Sequence, residues 1–97
     1  MAIVRLTPVA REQLAKLPKT IKARVVKRLE RLESWPQVSG VKALSGDLAG
    51  FYRDRTGDYR VQFYIQPARP VEGDKPAEPA VLMVDKIGHR DGFYGDE

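Results

Sequence analysis

Six side chains of this sequence fall into two short stretches from which chemistry on a phosphate could be built. Arg53, Arg55 and Arg60 flank the turn signal Thr56-Gly57-Asp58, and His89 and Arg90 follow Gly88, with Tyr94 four residues beyond Arg90. A guanidinium is a planar fork that grips two phosphate oxygens at once and keeps its charge at any cellular pH, so arginine suits holding and stabilising a phosphoryl centre. A tyrosine ring adds a surface on which an unstacked base can lie. His89 is the sole histidine; its neutral ring can accept a proton near pH 7, a property the arginines lack, although a lone histidine beside a glycine is also an ordinary structural hydrogen-bonder. The spacing equally describes a solvated sheet face whose arginines pair with Asp54, Asp58 and Asp85, and charge spacing alone leaves both readings open.

The elements that must carry these residues can be read from apolar periodicity. Ile3, Val4 and Leu6 suit a strand, and Thr7 followed by Pro8 is a helix start, a capping hydroxyl ahead of a proline whose missing N–H costs nothing there. Ala10, Leu14 and Leu17 line one helical face until Pro18 interrupts the pattern. A second helix is expected from Thr20 to Ser34, with Ile21, Val25, Leu29 and Leu32 on its packed stripe; Lys22, Arg24, Lys27, Arg28 and Arg31 make it basic. Strands follow: Val41 to Leu44, a turn at Ser45-Gly46-Asp47, then Gly50 to Arg55. From Tyr59 onward, Tyr59, Val61, Phe63 and Ile65 alternate with Arg60, Gln62, Tyr64 and Gln66, so Arg60 belongs to the face opposite the core. Phe51, Tyr52 and Tyr59 read as core or sheet packing. Residues 67–79, with four prolines, Gly73 and several charges, suit a long exposed hairpin loop. Ala80 to Ile87 is nearly continuous in apolar residues and suits a central strand. Strand, helical hairpin and antiparallel strands together predict an α+β fold of two layers, with the N-terminal strand and the hairpin on one face of a small antiparallel sheet.

Composition bounds the rest. With 97 residues, 42% of them hydrophobic and 31% charged, the chain is expected to form a single folded domain, 1–97. The absence of cysteine removes disulfides and thiolate metal sites, and one histidine cannot make a transition-metal cluster, so no cofactor is expected. No signal-peptide pattern follows Met1 and no segment approaches membrane-spanning length, which leads to the expectation of a cytoplasmic protein with no membrane partner. Seventeen basic against thirteen acidic residues favour a polyanionic partner.

The run Leu44-Ser45-Gly46-Asp47-Leu48-Ala49-Gly50-Phe51-Tyr52-Arg53-Asp54-Arg55-Thr56-Gly57-Asp58-Tyr59-Arg60-Val61 resembles the central signature of RelE-type toxins. Ile87-Gly88-His89-Arg90-Asp91-Gly92-Phe93-Tyr94 is similar to the second motif of the same RelE/ParE superfamily, and element order agrees along nearly the whole chain. The resemblance implies the toxin of a type II toxin–antitoxin system, a ribosome-dependent endoribonuclease. It would cut messenger RNA without a metal by attack of the 2′-hydroxyl on the adjacent phosphate, and a cognate antitoxin would neutralise it. Arg53 and Arg55 then bind phosphate, Arg60 stabilises the scissile phosphate, Arg90 assists the leaving 5′-oxygen, Tyr94 orients the target nucleotide, and His89 is a secondary candidate. Operator DNA would be reached only through the antitoxin. The same fold also serves a ParE-like inhibitor of DNA gyrase, and an antitoxin-binding relative of weakened activity is a third possibility. The loop at 67–79 is longer than the family's usual tight turn.

Overall fold

The computed structural model describes residues 2–93. Strand β1 covers Ile3–Leu6 and helix α1 covers Pro8–Ala15. Between them Thr7 stays extended, and its hydroxyl accepts the Ala10 N–H at 3.2 Å, which satisfies one of the otherwise unpaired donors of the first turn. Pro18 separates α1 from α2, Lys19–Leu32. The second helix ends two residues earlier than its sequence suggests, because Glu33, Ser34 and Trp35 turn their N–H groups back onto the carbonyls of Glu30, Arg31 and Leu32. Val25, Leu29 and Leu32 are buried, and Ile21 packs at the rim.

The second half is a meander. Strand β2 is only Lys42–Ala43; a single 3₁₀ turn at Gly46–Leu48 leads to β3, Phe51–Thr56, then β4, Tyr59–Gln66, and β5, Val81–His89. Among the described residues these form one five-stranded sheet in the order β1-β5-β4-β3-β2. All pairs are antiparallel except β1 with β5, which run parallel from Ile3↔Val81 to Leu6↔Val84, so the sheet is mixed rather than purely antiparallel. Four apolar-rich residues pair equally well in either sense, and only the path of the whole chain decides the direction of β1. As expected, β5 lies inside the sheet.

One face of the sheet carries Val61, Phe63, Leu82, Val84 and Ile87 against Ala10 of α1 and Val25, Leu29 and Leu32 of α2. Trp35 closes the end of this core, its ring edge-on to Tyr52 at 5.2 Å and to Phe63 at 5.8 Å. The helices cover that face only. Residues 67–79 are exposed and form a narrow ribbon beyond β4 and β5, tied by mutual backbone bonds between Arg69 and Glu78 (both 2.8 Å) and between Glu72 and Lys75 (3.2 and 2.9 Å). Among the described residues no helix is long and apolar enough to cross a membrane.

Candidate functional site

Strand register determines which side chains share the face that the helices leave open. Directly paired residues of adjacent strands project to the same side, and neighbours along a strand project to opposite sides. Tyr52↔Phe63 and Asp54↔Val61 are buried pairs, so Arg53 and Arg55 take the open side, where Arg55 stands opposite Arg60 and Arg53 opposite Gln62. Lys42 pairs with Arg53, Lys86 with Gln62, and Gly88 with Arg60. The open face therefore carries two basic rows, Lys42–Arg53–Gln62–Lys86 and Arg55–Arg60–Gly88. Like charges directly opposed across strands destabilise a sheet, so Arg55 against Arg60 and Lys42 against Arg53 are arrangements that an anion would relieve.

The β3–β4 turn gathers more of the set. Thr56 pairs with Tyr59 around the two-residue turn Gly57-Asp58, and Gly57 adopts φ +58, which suits glycine at the first position of a tight hairpin turn. Arg60 donates to the carbonyl of Gly57 at 3.1 Å. The backbone N–H of Arg90 donates to the carbonyl of Asp58 at 2.7 Å, and Arg90 Nε stands 3.8 Å from the Asp58 carboxylate. Arg24 of α2 also reaches the turn: a Cβ at Gly57 would lie 4.0 Å from its Nη1. Residues distant in sequence, Arg24, Arg60 and Arg90, thus meet around two backbone carbonyls and one exposed acid.

The acids expected to neutralise these arginines are largely engaged elsewhere. Asp54 is buried on the helix side, where Arg28 of α2 grips it with two donors, Nε at 3.0 Å to Oδ2 and Nη2 to Oδ1, and the Arg55 N–H adds a third at 2.9 Å. Asp85 has no partner in the β4 register, because a bulge lies where Gln62 pairs with Lys86 and Phe63 with Val84. Its carboxylate receives the Gln62 amide at 3.3 and 3.4 Å. Burial pushes the Asp85 carboxyl above its ordinary value, against the opposing pull of the Gln62 amide, its own backbone and the Lys86 charge. Gln62, expected on a wet face, is only 6% exposed, and its Oε1 has no hydrogen-bond partner among the described residues. Asp58 alone of the three stands by a site arginine, Arg90. Among the described residues no ion pair or hydrogen bond engages the side chains of Arg53 and Arg55.

His89 is placed apart. It pairs with Tyr59, packs edge-on against that ring at 5.2 Å, and its Nδ1 accepts the Asp91 N–H at 3.1 Å, on the side of the sheet opposite Gly88 and Arg60. Tyr94 lies outside the described residues. Phe93, just before it, is buried at 2% exposure, its ring 3.4 Å from where a Cβ at Gly88 would stand, and Lys86 Nζ lies 4.6 Å above the same ring while donating to the Phe93 carbonyl. Gly88 thus leaves room for the Phe93 ring to pack against the sheet. Gln62 stands on the face of Arg60 as its alternation predicts, whereas Lys42 and Lys86 have no such forecast in the sequence; their places depend on cross-strand register and on one bulge, neither of which has a local signature.

No protein-family model matches the sequence, and no curated protein matches it. Solved structures do. The chain is similar to one in the RelBE2 toxin–antitoxin complex from Mycobacterium tuberculosis, with 31% identity, 91% of this chain and 96% of that chain covered, and a TM-score of 0.69. It is similar to one in the archaeal RelE–RelB complex from Pyrococcus horikoshii OT3 at 26% identity, over 92% of this chain and 94% of that one, with a TM-score of 0.63. The structure of YafQ from E. coli shares the fold at 13% identity and a TM-score of 0.58, covering 98% of this chain and 100% of that one.

Proposed function

The chain belongs to the RelE-type toxins, and from that membership we propose that it is the toxin of a type II toxin–antitoxin pair, an endoribonuclease that cuts messenger RNA on the ribosome. The observation that carries this reading is the opposition of Arg55 and Arg60 on the open face, with Arg90 fastened to the turn that joins their strands.

The chemistry follows from what arginine can do. Arg53 and Arg55 bind the phosphates of the strand, and Arg60 faces the non-bridging oxygens of the scissile phosphate, where negative charge grows as the phosphorus becomes five-coordinate. The 2′-oxygen forms a bond to phosphorus and passes its proton to solvent water. The bond from phosphorus to the 5′-oxygen breaks, Arg90 stabilises the departing oxygen, and water returns a proton to it. The products are a 2′,3′-cyclic phosphate and a 5′-hydroxyl. His89, on the far side of β5, is given no part in these transfers, and Tyr94 is assigned the stacking role that the family resemblance implies. Catalysis here is positioning and electrostatic stabilisation on residues that never change protonation state.

A cognate antitoxin is the proposed protein partner, matched to the face by acidic side chains. Expression in a bacterial host, with 5′ ends of messenger RNA mapped for the wild type, Arg60→Ala and Arg90→Ala, tests the assignment. Ribosome-dependent cuts present in the wild type and lost in both variants are expected. Growth arrest with intact RNA and unreplicated or broken DNA would instead assign the face to gyrase.

A further inference from the structure

The open face has a third row that the proposed reaction does not use. Phe51 of β3 pairs with Tyr64 of β4, Tyr64 with Met83 of β5, and Met83 with Arg5 of β1. Phe51 and Tyr64 make an edge-to-face pair with ring centroids 5.6 Å apart, and both are partly exposed. From the sequence Phe51 reads, with Tyr52, as core or sheet packing. Register separates the two: Tyr52 enters the core against Phe63, stacked at 5.6 Å, whereas Phe51 turns to the side that no helix covers.

The aromatic row lies two residues along the strands from the Lys42–Arg53–Gln62–Lys86 row and four from the Arg55–Arg60 row. At about 3.4 Å per residue those steps are about 7 and 14 Å, the scale of one and two nucleotide steps of an extended single strand. A strand whose scissile phosphate sits at Arg55 and Arg60 and whose next phosphate sits at Arg53 has a base within reach of the Phe51–Tyr64 pair. Aromatic rings beside a basic track are what sequence-tolerant single-strand binding requires, since every base offers a flat face. Arg5, at the far end of the row, continues the positive charge.

We propose that Phe51 and Tyr64 form a base-stacking subsite for single-stranded RNA, one to two nucleotides from the scissile phosphate and at the opposite end of the open face from the Gly88–Phe93 segment. The proposal rests on reading the open face as an RNA site. Charge complementarity favours RNA over an apolar peptide: Lys42, Arg53, Arg55, Arg60 and Lys86 occupy the neighbouring rows, on which no acid stands, and Asp85 lies beside them in the bulge, taken up by the Gln62 amide.

The test is a double-mutant cycle between ring and base. A fluorescent 2′-O-methyl hexanucleotide, which cannot react, is titrated by anisotropy with the wild type and with a Phe51→Val, Tyr64→Val variant, valine being a β-branched residue that suits a strand. A single abasic site is then moved along the oligonucleotide. The variant is expected to bind the intact strand roughly 5- to 100-fold more weakly. At one position, removing the base should cost the wild type a similar factor and cost the variant almost nothing. The exchange Phe51→Tyr with Tyr64→Phe, which keeps both rings, should behave as the wild type and shows that loss of the rings, not of the fold, is being measured. Equal sensitivity of wild type and valine variant to every abasic position overturns the subsite, as does a variant that loses affinity for an acidic antitoxin peptide but not for RNA. Messenger RNA cuts with a flat cycle would refute the subsite and leave the nuclease standing; a positive cycle without cuts would do the reverse.

Discussion

At the scale of single residues, two acids, Asp54 buried and Asp85 half-buried, behave in opposite ways. Asp54 is fully enclosed and receives three donors, so its charge is compensated only while Arg28 is present. Replacing Arg28 by methionine strands a carboxylate in the core and is expected to cost about 3–5 kcal/mol in urea unfolding. Asp54→Asn should cost less, because the Arg28 side chain is 18% exposed and can turn to water. Asp85 has the contrary problem, a carboxyl whose burial raises its pKa. A raised folded value means that the native state holds the proton more tightly than the unfolded chain. The stabilisation from that group is complete below the ordinary value of 3.8 and is lost as pH rises through the folded value. Asp85→Asn removes this loss, so the variant should equal or exceed the wild type in stability at pH 7, and its advantage should fade as pH is lowered toward 4. A wild type that instead gains stability on the variant as pH rises would refute that account.

At the scale of elements, the β3–β4 hairpin is the most legible part of the molecule and sets two arginines, Arg55 and Arg60, directly opposite each other. Alternation from Tyr59 to Gln66 announces a strand and assigns Arg60 to its outer side, and Thr56-Gly57-Asp58 announces the turn; the structure has both. Alternation could not show that Arg55 faces Arg60 directly, because that depends on a turn of two residues rather than three. Relieving the opposition with Arg55→Ser should raise the melting temperature in low salt, by the equivalent of about 0.2–1 kcal/mol. The gain should shrink in high salt, as screening weakens the same repulsion in the wild type; a gain independent of salt would point to strand propensity instead. The bulge at Asp85 was illegible for a related reason, since an unpaired residue is defined only by its neighbour's pairing. Gln62 illustrates the consequence: its alternation is right and its expected wetness wrong, its amide being buried and turned onto the carboxylate of Asp85 in the bulge.

At the scale of the whole molecule, composition and periodicity account for the α+β architecture and the one-sided helical cover, while the parallel pairing of β1 with β5 required the complete path of the chain. The ribbon at 67–79 contributes little to that architecture. Its residues are exposed, and the ion pair between Arg69 and Glu78, at 3.8 Å with both side chains largely in water, contributes almost nothing to stability. Replacing residues 68–79 with Asn-Gly keeps Gln66 and Val81 in register, retains Ala80 with its carbonyl on the Ile3 N–H, and closes the strands with a two-residue turn, and the urea midpoint should move by the equivalent of less than about 1 kcal/mol. A larger loss would show that the ribbon supports the sheet. The strand order also sets a timetable. During synthesis β1 finds its neighbour only when Val81–His89 has been made, and the open face gains Lys86 and Gly88 from that same segment. A nascent chain therefore cannot complete the open face from its N-terminal half alone: the face closes only when a strand distant in sequence is inserted between β1 and β4, a non-local step that loop closure makes slow.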